Sequence, residues 1–237
     1  MRGGWGYVLL TGLALLLSAC AGEVTKGPAF AGSASPIGDF SIPVKSMEEK
    51  RFDTVVRQKY DLSCGSAALA TLLRYHYGWP DHDEETAYRG MWAEGDRAQI
   101  RRVGFSLLDM KSYLSKLGFK ADGFQVSLKE VADAGVPGIA LLNINGYKHF
   151  VVVKGVSEYE VLVGDPALGL KPMKRTDFQK FWNGVYFAIN SHAEQGRSAF
   201  NGDRQWASFS RAPMRAGFLD PLSQQALALT APFITDF

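Results

Sequence analysis

The sequence predicts an α+β domain, with helices in its first half and an antiparallel sheet in its second. Two patterns lead to this prediction. Between residues 63 and 134, apolar residues recur at helical spacing between residues that cap and end helices. After Gly135-Val136-Pro137 the pattern changes to short runs of Val, Ile, Leu and Phe bounded by Gly, Asn and Pro, which is typical of strands joined by short turns.

Four helices and four strands are predicted in this order. The first helix runs from Ser63 to Tyr77, where small and apolar residues alternate at helical spacing, Ser63 can cap the start and Gly78 can end it. The other helices are predicted at 83–98, 106–117 and 128–134. The strands are predicted at 138–143, 149–156, 160–164 and 185–189.

The composition is that of an ordinary globular protein and excludes several classes. Of the 237 residues, 46% are hydrophobic and 21% are charged, which excludes a collagen, a coiled coil and a wholly disordered chain. The length fits one domain with tails. Because 26 Lys and Arg residues against 24 Asp and Glu leave a net charge of only +2, we expect no nucleic acid as a partner.

Residues 1–21 are predicted to be an export signal. Arg2 provides a positive start, and the apolar run from Val8 to Leu17 is shorter than the roughly 20 residues that span a bilayer. The run ends in Leu-Ser-Ala-Cys20, which resembles a bacterial lipobox, and the same letters also fit ordinary cleavage before Gly22. We expect a periplasmic protein of a Gram-negative bacterium that is anchored in the outer membrane if Cys20 is acylated.

The rest of the chain is predicted to consist of three parts. Residues 22–36 are rich in Gly, Ala, Ser and Pro and suit a flexible tether. Residues 37–190 form the folded domain. Residues 191–237 form an appendage, either a poorly ordered tail or a docking segment for a partner, and within it only Pro221 to Leu229 has a helical pattern.

Cys64 is the cysteine whose role needs an explanation, because the other cysteine, Cys20, lies in the predicted export signal. Cys64 falls in the first turn of its predicted helix, where unpaired N–H groups and the helix dipole favour a thiolate. A free cysteine in a core is more often an inert small hydrophobe. Export to an oxidising compartment, where unpaired thiols are unusual, favours a nucleophile instead.

His149 is the candidate base by elimination among the four histidines. His76 lies on the same helix as the thiol, about 18 Å along its axis. His82 lies in a charged turn, where exposure to solvent is expected, and His192 lies beyond the last strand. His149 stands at the start of a buried strand, although a sheet-edge histidine bonded to backbone is the alternative.

Hairpin geometry suggests Asp165 as the group that orients His149. If their strands pair through a turn near Ser157 and Glu158, the two residues face each other, with Cβ atoms about 4.5 to 5.5 Å apart. A carboxylate there could accept from one imidazole nitrogen and leave the other for the thiol, which completes a nucleophilic triad. Because it precedes a proline, Asp165 could instead only start a turn.

Gln58 is a further polar candidate, six residues before Cys64. A short loop separates the two, so the Gln58 amide can fold back towards the sulfur. Together with the Cys64 backbone N–H it could form an oxyanion hole. A glutamine before a loop means little when taken alone.

These residues together resemble the double-glycine peptidase family, the papain-like cysteine peptidases that process bacteriocin leaders. The resemblance covers roughly residues 52–189 and rests on the segments VVRQKYDLSCGSAALATLLRYHYG, GYKHFVVVKGV and VLVGDPALG. It implies a papain-like fold, a peptide or protein substrate, and cleavage after small residues such as Gly-Gly. It also implies that Gln58 serves the oxyanion hole, Cys64 is the nucleophile, His149 is the base and Asp165 orients it.

The chain departs from that family in two respects. The residue before the cysteine, often Asp in the family, is Ser63, and a predicted export signal stands where the best-known members are fused to a transporter. Exported relatives resemble accessories of secretion, biofilm or functional-amyloid systems, so secretion-system components are expected partners. A non-cleaving peptide-binding module and an acyl transferase that uses the same triad are the alternative functions. No His/Cys cluster has ligand spacing, so we expect no metal or organic cofactor.

Overall fold

A six-stranded antiparallel sheet organises residues 45–209, the part of the chain that the computed structural model describes. From Ser46 onward these residues form one compact unit. The predicted export signal with Cys20, the tether and the helical pattern at 221–229 lie outside the described residues. The strands are β1 (Ala121–Gln125), β2 (Gly138–Ile144), β3 (Tyr147–Val156), β4 (Glu160–Asp165), β5 (Gly169–Lys174) and β6 (Trp182–Ile189), in the spatial order β1-β6-β2-β3-β4-β5.

Nine helices accompany the sheet within residues 45–209, and five of them precede the first strand, which confirms the predicted α+β class. They are α1 (Met47–Arg51), α2 (Cys64–His76), α3 (Glu84–Glu94), α4 (Arg97–Val103), α5 (Leu107–Lys116), α6 (Leu128–Ala134), α7 (Arg175–Phe181), α8 (Ala193–Ser198) and α9 (Asp203–Ala207). None of these helices is long and apolar enough to cross a membrane.

Helix α2 is the central helix of the main core. Nearly all its residues are buried, and it packs between β3 on one side and α3 and α5 on the other. Small residues at its start permit this close packing. A Cβ added to Gly65 would lie 3.0 Å from the Cε of Met110 and 3.2 Å from the Cβ of Phe105. The first predicted helix is therefore confirmed, and its small residues are explained by the neighbours that they admit.

The sheet is buried on both faces. One face packs on α2 and its neighbours, and the other is covered by side chains such as Leu128 of α6, Phe178 of α7 and the buried Phe200. Two-sided burial explains why β3 is a nearly continuous apolar run rather than an alternating one. The strand that carries His149 is thereby fixed from both sides.

Several predicted elements have different boundaries in the structure. The predicted helix at 83–98 is two helices, because the chain breaks at Gly95 and Asp96 caps α4 by accepting hydrogen bonds from two backbone N–H groups. The predicted helix at 106–117 is confirmed as α5, which Ser106 caps. Strands β1 and β5 were not predicted, since their sequences ADGFQ and GLKPMK are neither strongly apolar nor alternating.

The first part of the predicted appendage packs on the sheet. Asn201 joins it to the end of β3: the Val156 N–H donates to Asn201 Oδ1 at 2.8 Å, and Asn201 Nδ2 donates to the Val156 carbonyl at 3.2 Å. The Asn201 N–H also donates to the Lys154 carbonyl at 2.9 Å. These bonds occupy the bulge where the β3–β4 pairing shifts, between Val153 and Gly155.

Replacing Asn201 tests this attachment. Because Asn201 has a left-handed backbone with φ of 57°, Asn201→Gly removes the side chain without backbone strain. The buried Val156 N–H and C=O then lose their partner, and we expect the free energy of unfolding to fall by about 1 to 2 kcal/mol in urea denaturation. Asn145→Gly, at another exposed asparagine with a left-handed backbone (φ of 53°), is the control, and an equal loss in both variants would contradict the role of Asn201.

Candidate active site

Cys64 is the first residue of α2 and lies against a cavity. Its side chain is 6% exposed, and it is a free cysteine within the described residues. The first backbone N–H groups of a helix point towards this position, and together with the helix dipole they stabilise a negative charge on the sulfur. The predicted location at a helix start is confirmed, so the thiol has the environment of a nucleophile.

His149 and Asp165 are brought together in a buried pair. His149 Nε2 donates a hydrogen bond to Asp165 Oδ1 over 2.8 Å, and both side chains are almost entirely excluded from solvent. Tyr147 covers the imidazole from the outside, with the two rings stacked at 5.9 Å and 26°. The arrangement fixes the orientation of the ring from two directions.

The pairing of the two strands differs from the predicted one. The turn is centred on Glu158 and Tyr159, one residue later than expected, and Val152 faces Gly164. Continuing this register places Asp165 opposite Val151, so that His149 is its diagonal neighbour rather than its direct partner. The prediction of direct opposition was wrong because of the later turn and the bulge, and long side chains bridge the diagonal.

The second ring nitrogen of His149 is left for the thiol. Nδ1 is buried and has no hydrogen bond of ordinary geometry to any atom of the described residues. Burial alone would lower the pKa of His149, but the hydrogen bond to Asp165 and the negative charges of Asp165 and Cys64 outweigh it and raise the pKa to about 9. The ring is therefore protonated at neutral pH, and the imidazolium can stabilise a thiolate beside it.

Asp165 is held by more partners than the sequence indicates. Its Oδ1 also accepts from the N–H groups of Ala167 and Leu168, which is the turn-starting role foreseen as its alternative. Its Oδ2 forms an ion pair with Lys171 Nζ at 2.8 Å. Burial would raise the pKa of Asp165, but His149 and Lys171 outweigh it and hold that pKa well below its usual range. The carboxylate thus stays charged.

Sequence reasoning missed Lys171 because it missed β5. In the β4–β5 ladder Asp165 faces Gly169, and Lys171 follows two residues along on the same face. Once β5 is recognised, the alternation of side chains along the strand predicts that Lys171 lies on the same face as Asp165. Tyr147 was also missed, although it lies only two residues before the predicted start of the strand of His149.

Gln58 is anchored beside the pair through its backbone. Its N–H donates to the Pro166 carbonyl at 3.0 Å, directly after Asp165. Its side-chain Oε1 is buried without a hydrogen-bond partner among the described residues. No described hydrogen bond joins the Gln58 amide to Cys64, so its part in an oxyanion hole remains a prediction.

The other three histidines lie away from the thiol. His76 is buried among apolar groups, and burial, assisted by Lys154, lowers its pKa to about 3. His82 is buried beside Tyr113, with its Nε2 at 3.3 Å from the tyrosine hydroxyl, so the expected exposure to solvent was wrong. The ring of His192 packs edge-on against Phe119. His149 is the histidine that a described hydrogen bond joins to Asp165, so it remains the candidate base.

A cavity of about 730 Å³ opens beside Cys64. Its walls come from α4, the start of α5, the loop before α2 and the turn between β2 and β3. Most of the lining side chains are apolar, and these are Leu62, Val103, Phe105, Leu107, Leu108, Leu141, Tyr147 and Phe150. Val103 and Leu108 are more than half exposed, so the groove presents apolar surface to solvent.

The donor set of the described residues does not suggest a metal. Between residues 45 and 209, no three His, Cys, Asp or Glu side chains lie close enough to bind an ion together. The ionisable groups at the site instead lie next to one another: the thiol beside the imidazole, the imidazole bound to the carboxylate, and the carboxylate paired with the ammonium. The arrangement is suited to nucleophilic attack by a thiolate on a carbonyl carbon.

The chain is similar to known proteases. The profile of the Peptidase C39 family matches residues 53–194. A Pseudomonas fluorescens protein named "Probable functional amyloid protease FapD" is 44% identical over 168 residues, which cover 69% of this chain and 74% of that protein. The protein of that name from Pseudomonas aeruginosa is 46% identical over 146 residues, which cover 62% of this chain and 64% of that protein.

Among solved structures, similarity extends to the peptidase domain of ComA from Streptococcus, described as a bi-functional ABC transporter involved in a quorum sensing pathway. That domain is 23% identical, with 57% of this chain and 96% of the domain covered and a TM-score of 0.48.

The raised pKa of His149 predicts a pH dependence of stability. Since the folded pKa of about 9 lies above the unfolded value near 6.5, the stabilisation is complete below pH 6.5 and is lost as pH rises through 9. Lys154, whose pKa burial lowers to about 7, contributes with the opposite sign. The readout is therefore the difference in free energy of unfolding between the wild type and His149→Gln.

We expect this difference to decrease by up to about 3 kcal/mol between pH 6.5 and pH 9 in urea denaturation. His192→Gln, which changes a histidine outside the site, should follow the wild type at every pH. A wild type and His149→Gln that differ by the same amount at both pH values would contradict the charged pair.

Proposed function

Because the chain belongs to the Peptidase C39 family and is a cysteine peptidase, we propose that it is exported and cleaves a secreted or leader-bearing protein after small residues. The observation that carries the proposal is the use of the His149 ring: Nε2 is bound to Asp165, which leaves Nδ1 for the Cys64 thiol. That division of the two nitrogens is what a thiol peptidase requires.

The proposed reaction uses four residues. The Cys64 thiolate attacks the scissile carbonyl carbon, and the imidazolium of His149 gives its Nδ1 proton to the leaving amine. Water, deprotonated by His149, then hydrolyses the thioester and releases Cys64. Asp165 keeps the ring oriented throughout, while the Cys64 N–H and the Gln58 amide stabilise the oxyanion.

The shape of the approach to Cys64 supports small residues at the scissile bond. Cys64 is only 6% exposed, and Leu62 and Tyr147 are among the residues that line the cavity with it. A bulky side chain next to the scissile carbonyl would meet these walls before the carbonyl reached the sulfur. Glycine meets neither, so paired glycines suit this approach.

The apolar groove supports recognition of a longer segment. Exposed Val103 and Leu108 lie along its rim, and apolar side chains of a peptide would be removed from water on binding there. A substrate would then be selected by its apolar residues as well as by its cleavage site. The near-neutral charge of the chain agrees with recognition by shape and apolar contact rather than by ionic attraction.

The names of the relatives support a place in a functional-amyloid system, since both Pseudomonas proteins are named as functional amyloid proteases. In this proposal the predicted export signal delivers the protein to the periplasm, and acylated Cys20 anchors it in the outer membrane. Components of the secretion system would then be partners as well as the substrate.

Replacing the nucleophile tests the reaction. We expect Cys64→Ala to reduce cleavage of a peptide with Gly-Gly at the cut site at least about 1,000-fold, because no other cysteine of residues 45–209 can form the acyl-enzyme. Mass spectrometry should show wild-type products that together gain one water. Peptide binding by Cys64→Ala should persist, since the groove is unchanged.

Three outcomes would contradict this reaction. Cleavage that survives Cys64→Ala would exclude the thiol mechanism. A product linked to an added amine would indicate an acyl transferase. Binding without turnover by the wild type would indicate a peptide-binding module on the same fold.

Substrate variants test the expected size limit. Replacing the glycine before the scissile bond with leucine should lower kcat/KM by at least about 100-fold, since the larger side chain meets Leu62 and Tyr147. Replacing it with alanine should cost much less. Equal cleavage of the glycine and leucine peptides would contradict the narrow approach.

A further inference from the structure

Glu84 carries a buried carboxylate that the triad does not use. It is the first residue of α3 and is 1% exposed, although it lies in a charged segment of the sequence. The helix start favours a negative charge at this position. The neighbouring Asp83 caps the helix by accepting from the Thr86 N–H, so Glu84 is left to interact with other parts of the chain.

The Glu84 carboxylate binds both ends of the loop that joins Gln58 to Cys64. The Lys59 N–H donates to its two oxygens at 3.0 and 2.9 Å, and the Ser63 hydroxyl donates to Oε1 at 2.6 Å. Lys59 directly follows Gln58, and Ser63 directly precedes Cys64. A single carboxylate therefore controls the separation of the two groups proposed to bind the oxyanion.

The loop needs such a clamp because parts of its conformation are unfavourable. Leu62 has a φ of 65°, in the left-handed region that residues other than glycine rarely adopt. Ser63 occupies the N-cap position of α2, but its side chain makes no capping hydrogen bond and turns to Glu84 instead. The same hydroxyl also bonds within the loop, because it lies 2.7 Å from the Tyr60 carbonyl oxygen and accepts from the Tyr60 N–H at 3.3 Å. The Ser63 hydroxyl therefore joins Glu84 to the loop instead of capping α2.

The segment that precedes the loop is fixed by hydrogen bonds that do not involve Glu84. The Val56 N–H donates to Thr71 Oγ1 at 2.8 Å, and the Gln58 N–H donates to the Pro166 carbonyl at 3.0 Å. These bonds hold Gln58 relative to Asp165. What remains to be fixed is the position of Gln58 relative to Cys64, and the contacts of Glu84 supply it together with the bonds between Tyr60 and Ser63.

We propose that Glu84 is a positioning residue that aligns Gln58 with the Cys64 backbone N–H for binding of the oxyanion. This role rests on the proposed peptidase reaction. A negative charge near an oxyanion cannot stabilise it, so the contribution of Glu84 is the geometry of the loop. The sulfur itself is placed by α2 and by His149, which Glu84 does not contact in the described hydrogen bonds.

The test compares peptide cleavage with alkylation of Cys64 by iodoacetamide. Both begin with attack by the thiolate, but alkylation displaces iodide from a saturated carbon and forms no oxyanion. The variants are Glu84→Ala and Glu84→Gln. The control is Glu94→Ala, which removes a carboxylate from the other end of α3, where it pairs with Lys116 at the surface.

We expect Glu84→Ala to lower kcat for the peptide about 10- to 100-fold, because small displacements of catalytic groups have effects of this size. KM and the alkylation rate should stay within about twofold of the wild type. Glu84→Gln should recover part of kcat, since its amide oxygen can still accept from the Lys59 N–H. Glu94→Ala should match the wild type in every measurement.

Ser63→Ala provides a second test that does not depend on the folding of Glu84→Ala. It removes the hydroxyl that bonds to Glu84 and to the Tyr60 backbone, and we expect a severalfold loss of kcat with unchanged alkylation. Full kcat in Glu84→Gln and Ser63→Ala would overturn the proposal, as would equal losses of cleavage and alkylation. A wild type that is alkylated but cleaves no peptide would instead contradict the peptidase reaction itself.

Discussion

The bond from His149 Nε2 to Asp165 Oδ1 determines what the other groups at the site can do. It assigns one ring nitrogen to the carboxylate and leaves the other for Cys64. A buried imidazolium without a counter-charge would lose its proton, so the ring depends on Asp165 for its charge as well as its orientation. Asp165 depends in turn on Lys171, whose ammonium offsets the second carboxylate oxygen. Negative and positive charges therefore alternate across the site, and removing one of them destabilises the charge of its neighbour.

The fold makes this chain of charges possible by fixing strand β3 from both faces. The apolar residues on one face of β3 pack on α2, whose first residue is Cys64. Those on the other face pack in the core on the opposite side of the sheet. The separation between Cys64 and His149 is therefore set by helix-on-sheet packing and not by a flexible loop. Groups that must stay within a few tenths of an ångström of their working positions are best carried by such rigid elements.

The longer helices and the central strands were predictable because each has a strong local pattern. The short helices α1, α7, α8 and α9 were not predicted, and α8 and α9 correct the expectation that only 221–229 of the appendage is helical. Cys64, His149 and Asp165 were also reachable from sequence, since each stands at the end of an element that can be recognised. The strand register was not, because it depends on where a turn is centred and on a bulge, and neither leaves a clear signal in the letters. Lys171 and Glu84 were missed for another reason: they act across elements, from β5 and from the start of α3. A charged residue in a sequence does not show which distant group it will contact, nor, for Glu84, that it will be buried.

The attachment of Asn201 to the end of β3 also bears on where the functional unit ends. The family profile stops at residue 194, but the bonds that complete the bulge of β3 come from residue 201. The segment that the family profile matches and the segment that this chain needs to hold the strand of His149 in place are therefore not the same length. Truncation of the chain at residue 194 would keep every residue of the proposed triad. It would remove the hydrogen bonds of Asn201 that support the strand of His149.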